Sequence, residues 1–72
     1  MLIKGVFMVF SKMVEEVRGK LQLTQKELAD ILGVGYHTVN RWEKGHHEPT
    51  FLARRKFDDL CKKYGIEFDR DD

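Results

Sequence analysis

A capped helix followed by a tight turn constrains this chain more than any other feature. In the run Leu23–Val34 (LTQKELADILGV), Thr24 and Glu27 have the spacing of a capping box, in which hydroxyl and carboxylate each bind the other residue's backbone amide. Gly33 can take the left-handed conformation that ends a helix. A second short helix is predicted over residues 36–44. The apolar face of the first helix is predicted to consist of Leu28, Ala29, Ile31 and Leu32.

A longer helix is predicted on the N-terminal side of this turn, over residues 11–22, with Ser11 as its N-cap. Its apolar stripe at helical spacing consists of Phe10, Met13, Val14, Val17 and Leu21. On the C-terminal side, Pro49 ends a loop and Thr50 is the expected N-cap of a last helix that runs to about Tyr64. The inner face of that helix is predicted to consist of Ala53, Phe57, Leu60, Cys61 and Tyr64.

The length of 72 residues allows one small domain. We assign residues 11–66 to it, between an apolar N-terminal segment (residues 1–10) and an acidic tail (residues 67–72). The single cysteine excludes an internal disulfide, which fits a reducing cytoplasm. The apolar run 6–10 is too short to span a bilayer, and no membrane association is expected.

Charge is distributed unevenly, although the net charge is only +1. Residues 36–56 carry five basic and two acidic side chains, a net charge of +3, whereas residues 57–72 carry three basic and six acidic ones, a net charge of −3. A basic face beside an acidic one suits a protein that touches phosphate on one side. A solvated surface of mixed sign is the alternative reading of the same charges.

Three blocks carry a resemblance to a known family: LTQKELADILGV, TVNRWEKG and EPTFLARR. In this order and spacing they resemble the Cro/repressor-type helix-turn-helix family (XRE-like regulators), from Arg18 to about Ile66. The resemblance implies an all-α, repressor-like domain of four or five helices whose second motif helix enters the DNA major groove. It implies sequence-specific binding of double-stranded DNA and regulation of transcription, with repression as the expected direction.

The resemblance also implies which side chains contact DNA. Arg41 suits a bidentate pair with guanine, and Asn40 a pair with adenine. The expected base contacts are Tyr36, His37, Asn40 and Arg41, and the expected phosphate contacts are Gln25, Thr38, Lys44, His46 and His47. A merely solvated helix face is the alternative for the first set.

Arg18 and Glu43 match positions at which family members often carry an ion pair between the first and third helices. The alternative is two unrelated surface charges, which would contribute nothing measurable. Gly35 departs from the family, which commonly has a side-chain cap such as serine at this position.

No enzyme, cofactor, small-molecule substrate or metal site is expected. Asp58 and Asp59 are neighbours on one helix, so their carboxylates point roughly 100° apart. The adjacent His46 and His47 lack a spaced third ligand.

Two readings of the whole chain remain. The first is a homodimeric regulator, in which residues 1–10 supply part of the interface because the family's usual C-terminal segment is missing. The second is a protein-interaction module, such as an antitoxin-like small protein, whose partner surface includes Phe7, Val9 or Phe10. The N-terminal segment could equally lie across its own core.

Overall fold

The fold consists of four helices in chain order, α1 (Phe10–Leu21), α2 (Gln25–Leu32), α3 (Tyr36–Glu43) and α4 (Phe51–Lys63). A computed structural model describes residues 9–68, and within that range there is no strand. The predicted all-α class is therefore confirmed, with four helices rather than five in the described part of the chain. None of these helices is long and apolar enough to cross a membrane.

The predicted cap and turn around α2 are confirmed. The Thr24 hydroxyl accepts a hydrogen bond from the Glu27 amide at 3.0 Å, and the Thr24 amide donates to the Glu27 carboxylate at 2.8 Å. Gly33 ends α2 in the left-handed region, with φ of 72°. The chain then reverses, and the Val34 amide donates to the Ala29 carbonyl at 3.0 Å. These local bonds set the angle at which α3 leaves α2.

One hydrophobic core joins the four helices. Val39 and Trp42 are the buried side chains of α3, so its other side faces outward. Cys61 is buried too, and burial together with the nearby Asp58 raises the pKa of its thiol to about 11. The buried set is Phe10, Met13, Val14, Val17, Leu28, Ala29, Leu32, Val39, Trp42, Ala53, Phe57, Leu60 and Cys61.

The start of α1 differs from the prediction. The helix begins at Phe10 and its N-cap is Val9, which makes no side-chain cap hydrogen bond, so Ser11 is not the cap. The Phe10 ring packs edge-on against Trp42 at 5.2 Å and Phe57 at 4.9 Å between centroids. Anchoring of Phe10 by these rings outweighs the weak local preference of a serine N-cap.

Two side chains predicted to be inside are exposed. Ile31 is 51% exposed: it lies roughly 80° around α2 from the centre of the face that Leu28 and Leu32 bury, on the side opposite to the buried Ala29. Tyr64 is 53% exposed because α4 ends at Lys63, so that Tyr64 is its C-cap instead of part of its inner face.

The packed unit is slightly larger than residues 11–66. Phe10 lies in the core at one end, and at the other end Phe68 stacks on Phe57 with 6.4 Å between ring centroids. The remainder of the predicted N-terminal segment and acidic tail, residues 1–8 and 69–72, lies outside the described residues.

Candidate nucleic-acid interface

The outward face of α3 presents four polar or aromatic side chains. Tyr36, His37 and Arg41 are exposed and Asn40 is half-buried, while Val39 and Trp42 fix the opposite face in the core. The Tyr36 and His37 rings lie 4.8 Å apart between centroids. The predicted base contacts therefore share one accessible helix face, with the periodicity that a groove-reading helix needs.

Arg18 and Glu43 meet, joining α1 to the end of α3. Arg18 Nε donates to Glu43 Oε2 at 2.6 Å and Nη2 donates to Oε1 at 3.1 Å, a bidentate arrangement. Arg18 Nη1 also donates to the Leu23 carbonyl at 3.0 Å. The Arg18 guanidinium therefore connects α1 with the turn before α2 and with the end of α3, and it holds the end of α3 in place against α1.

The ionisation of this pair follows from its surroundings. Burial alone would raise the pKa of Glu43, but hydrogen bonds from Arg18 and Gln25 and the Arg18 charge together lower it below its ordinary value. The hydrogen bond to Glu43 raises the pKa of Arg18 against the opposing effect of burial. The Glu43 side chain is only 9% exposed and that of Arg18 is 27% exposed, so water screens this pair less than it screens a surface salt bridge.

A chain of amide hydrogen bonds runs from this ion pair to the face of α3. Gln25 Nε2 donates to Glu43 Oε1 at 2.7 Å, and Gln25 Oε1 accepts from Asn40 Nδ2 at 3.3 Å. Because an ionised carboxylate can only accept hydrogen bonds, the Gln25 amide must point its nitrogen toward Glu43 and its oxygen toward Asn40. The Gln25 oxygen in turn requires the Asn40 amide to point its nitrogen toward Gln25. Asn40 is left with its Oδ1 and its second amide hydrogen for other partners.

Arg41 lies on the other side of the same face, beside the loop after α3. Its Nη1 is 3.3 Å from His47 Nε2, a contact that requires the imidazole nitrogen to accept. Both residues line a shallow cleft of about 270 Å³ between α3, the loop and the start of α4. The lining residues are Val34, Thr38, Arg41, Trp42, His47, Glu48, Thr50 and Ala53.

The remaining predicted phosphate contacts are spread around α3. Thr38 is half-buried in the cleft, Lys44 is the C-cap of α3, and His46 is exposed in the loop. Gly35 is the N-cap of α3 and provides no side-chain hydrogen bond, as its lack of a side chain requires. In residues 9–68 no group of three or more histidine, cysteine, aspartate or glutamate side chains is placed to hold a metal ion.

Four contacts at this site were not predicted from the sequence, and two of them are Gln25–Glu43 and Arg41–His47. The Gln25–Asn40 bond joins residues 15 positions apart, and the Arg18–Leu23 bond uses a backbone carbonyl. The available signal was chemical: a glutamine at the start of α2 and an asparagine on α3 have complementary amides. Only the crossing of α2 and α3 brings them within reach.

Comparison with known protein families gives a match over most of the chain. A helix-turn-helix family model matches residues 14–70, from within α1 to beyond α4. The matched range contains all four residues of the hydrogen-bond network, which are Arg18, Glu43, Gln25 and Asn40.

Three curated proteins are similar to parts of this chain. It is 48% identical over 40 residues to the type II methyltransferase M.SsoII of Shigella sonnei, covering 51% of this chain and 11% of that protein. It is 47% identical over 45 residues to the type II methyltransferase M1.ScrFI of Lactococcus lactis subsp. cremoris, covering 58% and 12%. It is 44% identical over 41 residues to antitoxin MqsA of Escherichia coli (strain K12), covering 57% and 31%. The chain thus matches less than a third of each relative's length.

Proposed function

The chain belongs to the Cro/C1-type helix-turn-helix family of DNA-binding domains, and from this premise we propose that it is a sequence-specific transcriptional regulator that represses by occupying its operator. In this proposal α3 enters the major groove and Asn40 and Arg41 read base edges, with Tyr36 and His37 beside them. The supporting observation is the fixed Asn40 amide, because an orientation set before binding reduces the ordering cost of a base contact.

Gln25 is the proposed phosphate anchor. It is the first residue of α2, at the positive end of the helix dipole. Its Nε2 gives one hydrogen to Glu43, and the second remains for a phosphate oxygen. Lys44, His46, His47 and Thr38 are proposed to follow the DNA backbone beyond α3.

We propose further that the protein acts in the cytoplasm as a homodimer and catalyses no reaction of its own. One α3 covers one half-site, and a dimer would read two half-sites about 10 bp apart. The methyltransferase relatives share with this chain only a short region, so their named activity is not carried over to it.

Two substitutions separate base reading from phosphate anchoring. With sites selected from random duplex, Arg41→Ala should relax the preference at one base-pair position, at a cost of about 1–3 kcal/mol there. Gln25→Ala should weaken binding by a similar factor on every sequence, because phosphates carry no base information. The measurement is the dissociation constant on a panel of single-base variants, at two salt concentrations.

Lys12→Ala is the matched control, since it removes one exposed positive charge from α1 that is not among the proposed DNA contacts. It should leave both affinity and site ranking nearly unchanged. If the Arg41→Ala variant ranked the DNA sites in the same order as the parent, α3 would not read bases in the proposed way.

A protein-interaction module is the second candidate, favoured by the similarity to a protein named as an antitoxin. A pure interaction module would not bind any DNA duplex in a salt-dependent way. The affinity of the regulator for its site, in contrast, should fall steeply as the salt concentration increases. Phe10 is removed from the candidate partner surface because its ring is buried in the protein's own core.

A further inference from the structure

The start of α4 exposes two adjacent large apolar side chains. Phe51 is 82% exposed and Leu52 is 61% exposed. Their position is fixed, because the Thr50 hydroxyl accepts from the Ala53 amide at 3.1 Å and so caps the helix on which both stand. Adjacent exposed apolar side chains in a fixed position can form the centre of a protein contact.

Opposite charges flank this pair along the chain. Glu48 lies on its N-terminal side and Arg55 on its C-terminal side, and both are exposed. Within residues 9–68 neither forms a salt bridge, whereas the neighbouring Arg54 pairs with Asp58 at 3.0 Å. A two-fold axis through the apolar pair reverses the chain direction in the second copy. Such an axis sets each Arg55 opposite the partner's Glu48.

We propose that this surface, Phe51 and Leu52 flanked by Glu48 and Arg55, is where a second copy of the chain docks. The surface is self-complementary, apolar at the centre and opposite in charge at the two sides, which is what an isologous dimer requires. The inference deepens the proposed function, because it names the interface of the regulator's dimer.

The location also suits DNA binding by two copies. Glu48 and Thr50, at the edge of this surface, line the same cleft as Arg41 of α3. The proposed interface therefore lies beside the proposed DNA-reading face of α3.

A charge exchange tests the two-fold arrangement directly. Glu48→Arg and Arg55→Glu should each raise the dimer dissociation constant, because each places like charges across the interface. The double variant Glu48→Arg/Arg55→Glu should restore it to near the parent value, since the exchanged charges again face opposite ones. Sedimentation equilibrium gives the dissociation constants, and circular dichroism checks that each variant is folded.

An apolar substitution gives an independent measurement. Phe51→Asp should raise the dimer dissociation constant by roughly 30-fold or more, as for an interface hot spot. It should not impair folding, because a carboxylate is favourable in the first turn of a helix. Ile31→Asp is the matched control: Ile31 is 51% exposed on α2, outside the proposed surface, and its replacement should leave the mass unchanged.

Three results would overturn the proposal: a parent protein that is monomeric at high concentration, a folded Phe51→Asp variant that still dimerises like the parent, or a double charge exchange that stays monomeric. Loss of the dimer on deletion of residues 1–8, with Phe51→Asp unaffected, would assign the interface to the N-terminal segment instead. Binding to a duplex with one half-site separates this question from the proposed function, because monomeric variants should keep that binding if α3 reads DNA.

Discussion

Replacing Glu43 with alanine is expected to lower the free energy of unfolding by about 2–3 kcal/mol. The substitution leaves the Arg18 guanidinium with only the Leu23 carbonyl as a partner, and it removes the acceptor that orients Gln25. A domain of 72 residues has a total stability of roughly 4–11 kcal/mol. One side chain therefore accounts for a large share of it, and the loss is measurable in urea melts as a lower midpoint.

The double-mutant cycle with Arg18→Ala tests whether the two charges act as a pair. The double variant should cost less than the sum of the single ones, since the second substitution has no pair left to break. Lys26→Ala is the control, because it removes one end of the exposed Lys26–Asp30 pair and should change stability by less than about 0.5 kcal/mol. Strict additivity at Arg18 and Glu43 would mean that the pair does not stabilise the protein in solution.

The lowered pKa of Glu43 makes part of this stability dependent on pH. In the unfolded chain Glu43 binds its proton at a higher pH than in the folded one, so protonation favours unfolding. The contribution is complete above the ordinary glutamate pKa of about 4.3 and is lost as the pH falls through the lower folded value. Urea melts between about pH 7 and about pH 3 should show a smaller loss for Glu43→Gln than for the parent.

An identical pH dependence of the parent and Glu43→Gln would contradict the assigned role of the Glu43 carboxylate.

Local chemistry made the middle of the fold predictable from the sequence. Thr24 with Glu27, Gly33 and Thr50 each determine a helix end through bonds to residues at most four positions away. The end of α1 lacks such a signal. Gln22 takes the left-handed backbone conformation with φ of 56°, which residues other than glycine rarely adopt. Boundaries were thus predicted where a cap residue forms its local bonds, whereas at α1 the predicted cap Ser11 is not the N-cap.

Burial was less predictable because it depends on which neighbour covers a side chain. Ile31 has the residue type of a core position, but no neighbouring helix covers it. Phe10 was predicted in the apolar stripe of α1 but also in the N-terminal segment outside the domain, and the contacts of its ring with Trp42 and Phe57 confirm the first of these. Periodicity indicates which face of a helix is apolar, but not how far the covering elements extend.

The site was partly predictable for the same reason. Family resemblance implied the Arg18–Glu43 pair and the residues on the outward face of α3. The connection between them through Gln25 could not be inferred, since it depends on the distance at which α2 crosses α3. Contact of these side chains with DNA stays a prediction.

Replacing Phe10 with alanine should have the largest effect of the single substitutions considered, a loss of about 3–5 kcal/mol in the free energy of unfolding. The aromatic ring fills the junction of α1, α3 and α4, with edge-on contacts to Trp42 and Phe57 and the Arg54 guanidinium 5.2 Å above its centre. The cavity left by alanine would border all three helices, so little can collapse to fill it. In a domain this small, such a loss approaches the whole stability, and thermal and urea melts should show a marginally folded protein.

Val9→Ala is the matched control, because Val9 precedes Phe10 directly but is exposed, and its truncation should cost less than about 0.5 kcal/mol. The comparison also separates two roles of the N-terminal region. If Phe10 belonged to a dimer interface, its replacement would make stability depend less on protein concentration. If it belongs to the core, as its burial indicates, stability should fall equally at every concentration. A Phe10→Ala variant with the parent's urea midpoint and a dissociated dimer would mean that the ring stabilises the assembly and not the monomer fold.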